Sequence, residues 1–198
     1  PWFRADVAIR GGLLAAGGPT IRGTAGREID VGGQVITPGF IDVHSHGGGG
    51  IFEVPTADNY IRQGVTTLIA GPDGSSALPV GPWLDSLSAL PRTVNMGTMV
   101  GPGAVRASVI GSVNRAATPA EIERMRALAE QAMLDGALGL STGLFYVPGT
   151  FTPTEEVIEL ARVVGRLGGI HISHMRNEAA GVVESVRETL RIGEEGGL

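Results

Sequence analysis

The 198-residue sequence contains neither cysteine nor lysine, so all 15 of its basic residues are arginines. The absence of cysteine excludes disulfide bonds and thiolate metal sites, and it leaves the redox compartment open. The absence of lysine excludes any site built on a lysine amine of these residues. The net charge is −5 and no basic patch is present, which argues against a nucleic-acid partner.

Long apolar runs are also absent. No stretch approaches the roughly 18–20 residues that a membrane-spanning helix requires, so no membrane span is expected. The first residues, Pro1 to Arg4, lack the basic start, apolar core and cleavage site of a signal peptide. This favours a cytoplasmic location. A secreted or periplasmic location stays open, because the sequence reads as if it begins inside a longer chain.

Residues 2 to about 36 alternate short β-type runs with glycine-rich turns. Apolar and polar residues alternate with period two in Ala5–Arg10 and in Arg27–Val31, and Gly-Gly turns lie between these runs. This pattern predicts a small antiparallel β unit. We therefore assign residues 1–36 to one domain and residues 37–198 to a second.

The second domain repeats a strand, a loop and a helix. Two helices have clear predicted starts, at Thr118-Pro119-Ala120-Glu121 and at Thr152-Pro153-Thr154-Glu155, where a capping threonine precedes a glutamate by three residues. A last helix is expected near residues 179–192, with Val182, Val186 and Leu190 inward. Sequential βα units predict parallel strands with right-handed crossovers. The strands are expected near residues 39–44, 65–70, 94–100, 137–141 and 169–174.

The density of these units favours an α/β fold of the (β/α)₈ TIM-barrel type. Five units in about 160 residues match a barrel that places eight units in about 250 residues. On this interpretation about five βα units are present, and the chain is truncated after the fifth helix. A complete doubly wound domain is the alternative, although no glycine fingerprint for a nucleotide follows the first strand.

The strongest chemical signal is His44-Ser45-His46, at the end of the first predicted strand of the second domain. Residues i and i+2 of a strand point to the same side, so both imidazoles can reach one metal ion if the strand continues through them. Histidine nitrogen is a standard zinc ligand, and barrel enzymes place catalysis at the C-terminal ends of their strands. The alternative is a pair of surface histidines on a loop.

The setting of these histidines, Pro-Gly-Phe-Ile-Asp-x-His-x-His, resembles the first-strand metal motif of the amidohydrolase superfamily. Three further stretches resemble the D-aminoacylase, or N-acyl-D-amino-acid deacylase, family within it. The resemblance implies that residues 1–36 belong to a small β-sandwich domain beside the barrel. The three stretches are Gln63–Thr67, Gly139–Leu144 and Ser173–Glu178.

The same resemblance implies a set of metal ligands. Superfamily members usually carry a carboxylated lysine, which this chain cannot supply, whereas the D-aminoacylases use a cysteine after the second strand. Asp73 occupies that cysteine position, and His174 matches the fifth-strand histidine. The implied ligands are therefore His44, His46, Asp73 and His174. Asp73 could instead serve only the Pro-Asp-Gly turn that contains it.

Two substrate contacts also follow from the resemblance. Tyr146 matches a tyrosine that contacts the substrate carboxylate, although an aromatic residue covering the barrel mouth is an equal alternative. Arg176 could neutralise a substrate carboxylate through a bidentate contact, or it could pair with Glu178. His171, three positions before His174, falls on the opposite face of its strand and is expected to be structural.

The implied activity is metal-dependent hydrolysis of the amide bond of a small-molecule N-acyl-D-amino acid. One or two Zn²⁺ ions, or another divalent metal, would polarise the acyl carbonyl and lower the pKa of bound water. The general-base aspartate is expected beyond residue 198. A dipeptidase or a cyclic amidase of the dihydroorotase or hydantoinase type is the alternative enzyme, and a non-catalytic metal-binding fragment is the alternative of another class.

Overall fold

A computed structural model describes residues 3–198, so the first two residues of the N-terminal domain assignment lie outside the described part. The chain divides into two units, Pro1–Pro38 and Gly39–Leu198. The first contains an antiparallel hairpin of β1 (Asp6–Arg10) and β2 (Leu13–Gly18), with an irregularity in register between Ala8 and Ile9. Gly11 and Gly12 form the turn with φ of 59° and 77°, values that favour glycine.

The second predicted β run of this unit is wrong. Residues 27–31 form no strand, and the partner of β1 is β2 instead. A strand that follows a two-residue turn needs no long loop to pair, so the nearer segment forms the hairpin.

The second unit repeats strands and helices in the predicted alternation. Its strands are β3 (Phe40–Asp42), β4 (Val65–Ala70), β5 (Asn95–Thr98), β6 (Gly139–Gly143) and β7 (Ile170–His174). Its helices are α1 (Asp58–Ile61), α2 (Val80–Ser88), α3 (Pro102–Ile110), α4 (Pro119–Leu134), α5 (Thr154–Arg166) and α6 (Val182–Gly196), with 3₁₀ turns at Gly50–Phe52 and Gly149–Phe151. The fold is therefore α/β, as the sequence predicts.

The strands pair in parallel and in chain order. One sheet has the order β3-β4-β5 and another pairs β6 with β7. A parallel bridge between Val100 and Leu140 joins the end of β5 to β6. The order never reverses, whereas a doubly wound sheet reverses at its switch point. The C-terminal ends of successive strands therefore come together along one edge.

The predicted start of α4 is confirmed and that of α5 is wrong. Thr118 and Glu121 form a reciprocal capping box at α4. Thr152 does not cap α5, whose N-cap is Pro153 without a side-chain hydrogen bond. The Thr152 hydroxyl instead donates to the carbonyl of Pro148, across the 3₁₀ turn Gly149–Phe151. A nearby carbonyl competes successfully for this hydroxyl.

The inward face of α6 also differs from the prediction. Val186 and Leu190 are exposed, whereas Ser185, Ile192 and Gly196 are buried. Gly196 lies so close to α5 that a Cβ there would approach the Ala161 methyl to 2.6 Å. Small residues let the two helices approach closely, and this contact decides the rotation of α6 where apolar periodicity alone favours the valines.

The core lies between the helices and the helix-covered face of the strands. It includes Leu140, Val157 and Leu160, and it also holds a buried ion pair between Arg106 and Glu156. The Arg106 guanidinium donates to the Val113 carbonyl as well, so the pair anchors the segment that leads into α4. Among residues 3–198, no helix is long and apolar enough to cross a membrane.

Candidate metal centre

His44 and His46 lie just after β3 rather than within it. The strand ends at Asp42, whose carboxylate accepts a hydrogen bond from the backbone N–H of His44 at 3.1 Å. This local bond turns the chain out of the strand, so the strand predicted over residues 39–44 ends at Asp42 and does not continue through the two histidines. Their rings nevertheless approach each other, with centroids 5.7 Å apart.

Ser45 fixes the loop between the two histidines. Its side chain is buried and its backbone N–H donates to the carbonyl of Ile69 at 3.0 Å, which ties the loop to β4. Its hydroxyl lies 3.1 Å from the hydroxyl of Tyr60 and accepts from the N–H of Gly47. With Ser45 held in the interior, the histidines on either side of it are directed towards the strand ends.

The carboxylate of Asp73 lies beside the imidazoles of both His44 and His46. His44 Nε2 lies 3.2 Å from Asp73 Oδ1, and His46 Nε2 lies 3.0 Å from Asp73 Oδ2. The aspartate follows β4 in a left-handed conformation, with φ of 57°, between Gly71 and Gly74, which also have positive φ. Asp73 is thus both a turn residue and the centre of the cluster, so the two sequence interpretations are compatible.

His174 joins the cluster through Asp73. It is the last residue of β7, and its Nδ1 lies 3.5 Å from Asp73 Oδ1. Its Nε2 faces Glu178 Oε1 at 3.4 Å. The ligand atoms of His44, His46 and Asp73 all lie within 4.8 Å of one another, and His174 meets this group from the Oδ1 side.

His44, His46 and Asp73 are close enough together to hold a divalent cation, and His174 adjoins them at Asp73 Oδ1. Asp73 Oδ1 is buried and makes no hydrogen bond, although nitrogens of His44 and His174 lie within 3.5 Å of it. A buried carboxylate oxygen without a hydrogen bond requires another partner. Imidazole nitrogens directed at one carboxylate form a donor set that suits Zn²⁺ and other divalent metals.

Close backbone packing holds the Asp73 turn in place. A Cβ on Gly143, at the end of β6, would lie 1.9 Å from the Asp73 carbonyl oxygen. A Cβ on Gly101 would lie 2.3 Å from the carbonyl oxygen of Gly74. That carbonyl accepts a hydrogen bond from the N–H of Ala104 at 3.0 Å. Glycines at these positions allow three strand ends to close around the turn.

An aromatic pair covers His174. The Tyr146 ring centroid lies 4.6 Å from that of His174, and the Phe145 centroid lies 5.7 Å away. Tyr146 meets the His174 ring edge on, whereas Phe145 is tilted against it, and both aromatic side chains are exposed on their other side. Tyr146 was predicted from the sequence and Phe145 was not, although Phe145 precedes Tyr146 directly in the loop after β6. We call Phe145 and Tyr146 the aromatic wall.

Arg176 contacts a glutamate and two backbone carbonyls, and the predicted alternative of a pair with Glu178 is wrong. Its guanidinium pairs with Glu188 at 2.8 Å, rather than with Glu178, and donates to the carbonyls of Thr150 and Thr152. Burial raises the pKa of Glu188, but the hydrogen bonds from Arg176 and Thr154 outweigh it and leave that pKa lowered. These contacts tie the loop that carries the aromatic wall to α6. A substrate contact by Arg176 stays a prediction.

His171 lies in a polar network on the helix-covered side of β7. Its Nε2 is 3.1 Å from the hydroxyl of Thr142, and that hydroxyl donates to Ser173 at 2.8 Å. Burial lowers the pKa of His171 to about 4. No contact joins it to the cluster around Asp73 in residues 3–198, which agrees with its expected structural role.

Acid is expected to destabilise the fold through His171. The unfolded chain takes up a proton near pH 6.5, whereas the folded chain resists it until about pH 4, so stability is lost as pH falls through this window. The loss is about 3 kcal/mol by pH 4. Denaturant unfolding of parent and His171→Gln between pH 7 and 4 measures it. Equal pH slopes for the two proteins would contradict the assignment.

Glu178 is expected to strengthen metal binding by orienting His174. Glu178 Oε1 lies 3.4 Å from the buried Nε2 of His174, which makes no hydrogen bond in the structure. A carboxylate that closes on this nitrogen when metal binds would favour the tautomer that leaves Nδ1 free as a ligand, and loss of such a partner typically lowers metal affinity about 10–100-fold. Glu178→Ala should show this loss in chelator competition, and Glu178→Gln a smaller one. Glu184→Ala, at an exposed position of α6, is the matched control. Equal affinity in all four proteins would exclude the role.

Several curated sequences match this chain over nearly its whole length. No protein-family model matches it. A D-aminoacylase from Alcaligenes xylosoxydans xylosoxydans is 39% identical over 218 aligned residues, which cover 98% of this chain and 45% of the relative. The chain thus spans a little under half the length of the curated relatives that it matches.

Solved structures of similar proteins also match this chain over nearly its whole length. A D-aminoacylase studied for its binuclear metal centre superposes with a TM-score of 0.92 at 37% identity, covering 98% of this chain and 46% of the other. An N-acyl-D-glutamate deacylase from Bordetella bronchiseptica, complexed with zinc and a phosphonate mimic of the tetrahedral intermediate, has a TM-score of 0.94 at 34% identity, with coverages of 100% and 46%.

Proposed function

The chain is a homologue of the D-aminoacylase family of amidohydrolases over nearly its whole length, and on this basis we propose that it belongs to an enzyme that hydrolyses the amide bond of N-acyl-D-amino acids. The observation that carries the proposal is the convergence of three histidines on Asp73 at the ends of β3, β4 and β7. The substrate is a small molecule, as it is for the named relatives.

The finer fold assignment is part of the proposal. Five parallel strands in chain order support a (β/α)₈ barrel to which residues 37–198 contribute five units. The TM-scores of 0.92 to a D-aminoacylase and 0.94 to an N-acyl-D-glutamate deacylase support it as well. The hairpin of the first unit supports the assignment of residues 1–36 to a small β-sandwich domain.

The residues of the cluster have separate roles in this proposal. His44, His46 and His174 would hold one or two divalent ions, with Zn²⁺ the first choice, and Asp73 would bridge or complete the ligand set. Such an ion supplies Lewis-acid chemistry that makes an amide carbonyl easier to attack. The Asp73 carboxylate offsets part of the positive charge from a fixed position.

The aromatic wall would exclude water from one side of the reacting amide. The Tyr146 ring lies beside that of His174, and the family resemblance implies that its hydroxyl would donate to the substrate carboxylate. Arg176 holds the loop of this wall through Glu188 and two backbone carbonyls. In residues 3–198, Asp73 and Glu178 are the carboxylates that lie within 4 Å of histidine nitrogens, and the proposal assigns the general-base role to neither of them.

An activity panel on the full-length, metal-loaded enzyme tests the proposal. N-acetyl-D-amino acids should be hydrolysed, and their L-enantiomers, D-dipeptides and hydantoins should be poor substrates. Preferential cleavage of D-dipeptides or hydantoins would contradict the proposal and indicate a dipeptidase or a cyclic amidase instead. No cleavage of any compound by a protein that binds metal would favour the non-catalytic alternative.

A further inference from the structure

A cavity of about 300 Å³ opens directly beside His46. Its lining includes the small residues Gly48, Ala70 and Ala77, and the indole of Trp83 forms one side. A volume near 300 Å³ is at the lower end of the range for small-molecule pockets. We call this space the His46 cavity.

Apart from His46, the described residues that form the walls of the His46 cavity carry no ionisable side chain. The remaining polar groups of the lining side chains are the indole N–H of Trp83 and the hydroxyls of Ser45, Ser75, Ser76 and Thr98. A carboxylate that enters such a space would be desolvated without an arginine to pair with it, which is costly. The cavity therefore suits an uncharged group of modest size.

The cavity and the aromatic wall adjoin different histidines of the cluster. The His46 side chain lies beside Asp73 Oδ2. The His174 side chain, which the aromatic wall covers, lies beside Asp73 Oδ1. An N-acyl-amino acid has two arms that leave its amide bond in opposite directions. One arm ends in a carboxylate and the other is an acyl chain. An amide placed at the cluster can direct one arm towards each feature.

We propose that the His46 cavity is the binding site for the acyl arm of the substrate, and that it takes short, uncharged acyl chains. This inference rests on the proposed function and adds to it the location and chemistry of acyl selection. The amino-acid arm, with its carboxylate, lies on the side of the aromatic wall, where the Tyr146 ring adjoins His174.

The depth of the cavity is set by close contacts around Gly48 and Trp83. A Cβ on Gly48 would lie 2.9 Å from the Ala70 methyl and 3.6 Å from Trp83 Cζ2, so the chain is already tightly packed there. The Phe52 ring packs edge to face on Trp83, with centroids 6.4 Å apart. Ala77 is half-buried in the lining, and a larger side chain there would reduce the space with little change to the backbone.

The test is the acyl-length profile of the full-length, metal-loaded enzyme. The substrates are N-formyl, N-acetyl, N-butyryl and N-hexanoyl derivatives of one D-amino acid, and the proteins are the parent, Ala77→Leu and Ala127→Leu. Ala127 is exposed on α4, which makes it the matched control. Ala77→Leu should lower kcat/KM for the butyryl and hexanoyl substrates about 10-fold or more relative to the formyl substrate. Ala127→Leu should leave every ratio unchanged.

A second series uses one acyl group and varies the D-amino acid. Ala77→Leu should leave this selectivity unchanged, and inhibition by butyrate should weaken relative to inhibition by formate. The inference is overturned if Ala77→Leu affects all acyl chains equally or not at all, or if it changes amino-acid preference instead. A parent enzyme that hydrolyses none of these amides overturns the proposed function itself, which is a distinguishable result.

Discussion

Asp73→Ala is expected to remove the bound metal and to lower kcat/KM by at least about 10³-fold. Asp73 is the residue on which all three histidines converge, at distances of 3.0, 3.2 and 3.5 Å. Without its carboxylate, the histidines lose both their shared partner and the negative charge that favours a cation. Metal content of the purified full-length protein and steady-state kinetics measure the two effects.

Two further variants separate the charge of Asp73 from its position. Asp73→Asn keeps the shape but not the charge, and should retain less metal than the parent. Asp73→Cys should keep metal and shift preference towards softer ions such as Cd²⁺, because thiolate sulfur is the softer ligand. Asp85→Ala, at an exposed position of α2, is the control. Parental metal content in Asp73→Ala would remove Asp73 from the site.

Gly143→Ala is expected to destabilise the fold by more than about 3 kcal/mol and to reduce metal content with it. The added methyl would lie 1.9 Å from the carbonyl oxygen of Asp73 and 2.2 Å from its carbonyl carbon. Both neighbours are backbone atoms, so no side-chain rotation relieves the overlap. Either β6 or the Asp73 turn must move, and movement of the turn misdirects the carboxylate.

Gly49→Ala is the matched control for this substitution. Gly49 has helical angles, φ −85° and ψ −49°, and a Cβ there would meet nothing within 4 Å. It also lies near His46, so it samples the same end of the fold. Denaturant unfolding and metal analysis should show a large change in Gly143→Ala and almost none in Gly49→Ala. Similar changes in both variants would contradict the role of the close contact between Gly143 and the Asp73 backbone.

Much of the site could be predicted because the family motif and the βα alternation are both local patterns. The position of Asp73 follows from the resemblance, and its carboxylate does meet His44 and His46 in the structure. The role of His44, His46, Asp73 and His174 as metal ligands stays a prediction.

Other features depend on contacts between distant segments, which no local pattern contains. Arg176 has a glutamate two residues away, yet it pairs with Glu188 because α6 brings that carboxylate beside the loop at Thr150. The rotation of α6 depends on how closely Gly196 approaches Ala161. Thr152 resembles a helix cap in sequence, but the Pro148 carbonyl takes its hydroxyl.

The span of chain between the clustered side chains gives a bound ion a mechanical role as well. A cation held by both His44 and His174 would cross-link positions 130 residues apart, in a polypeptide that has no sulfur bridge to do so. A metal ion that binds only the native form raises the free energy of unfolding by about 4 kcal/mol when the free metal concentration is 1,000 times the dissociation constant. Heat resistance should therefore rise with metal concentration, and chelation should loosen the strand ends before the helices melt.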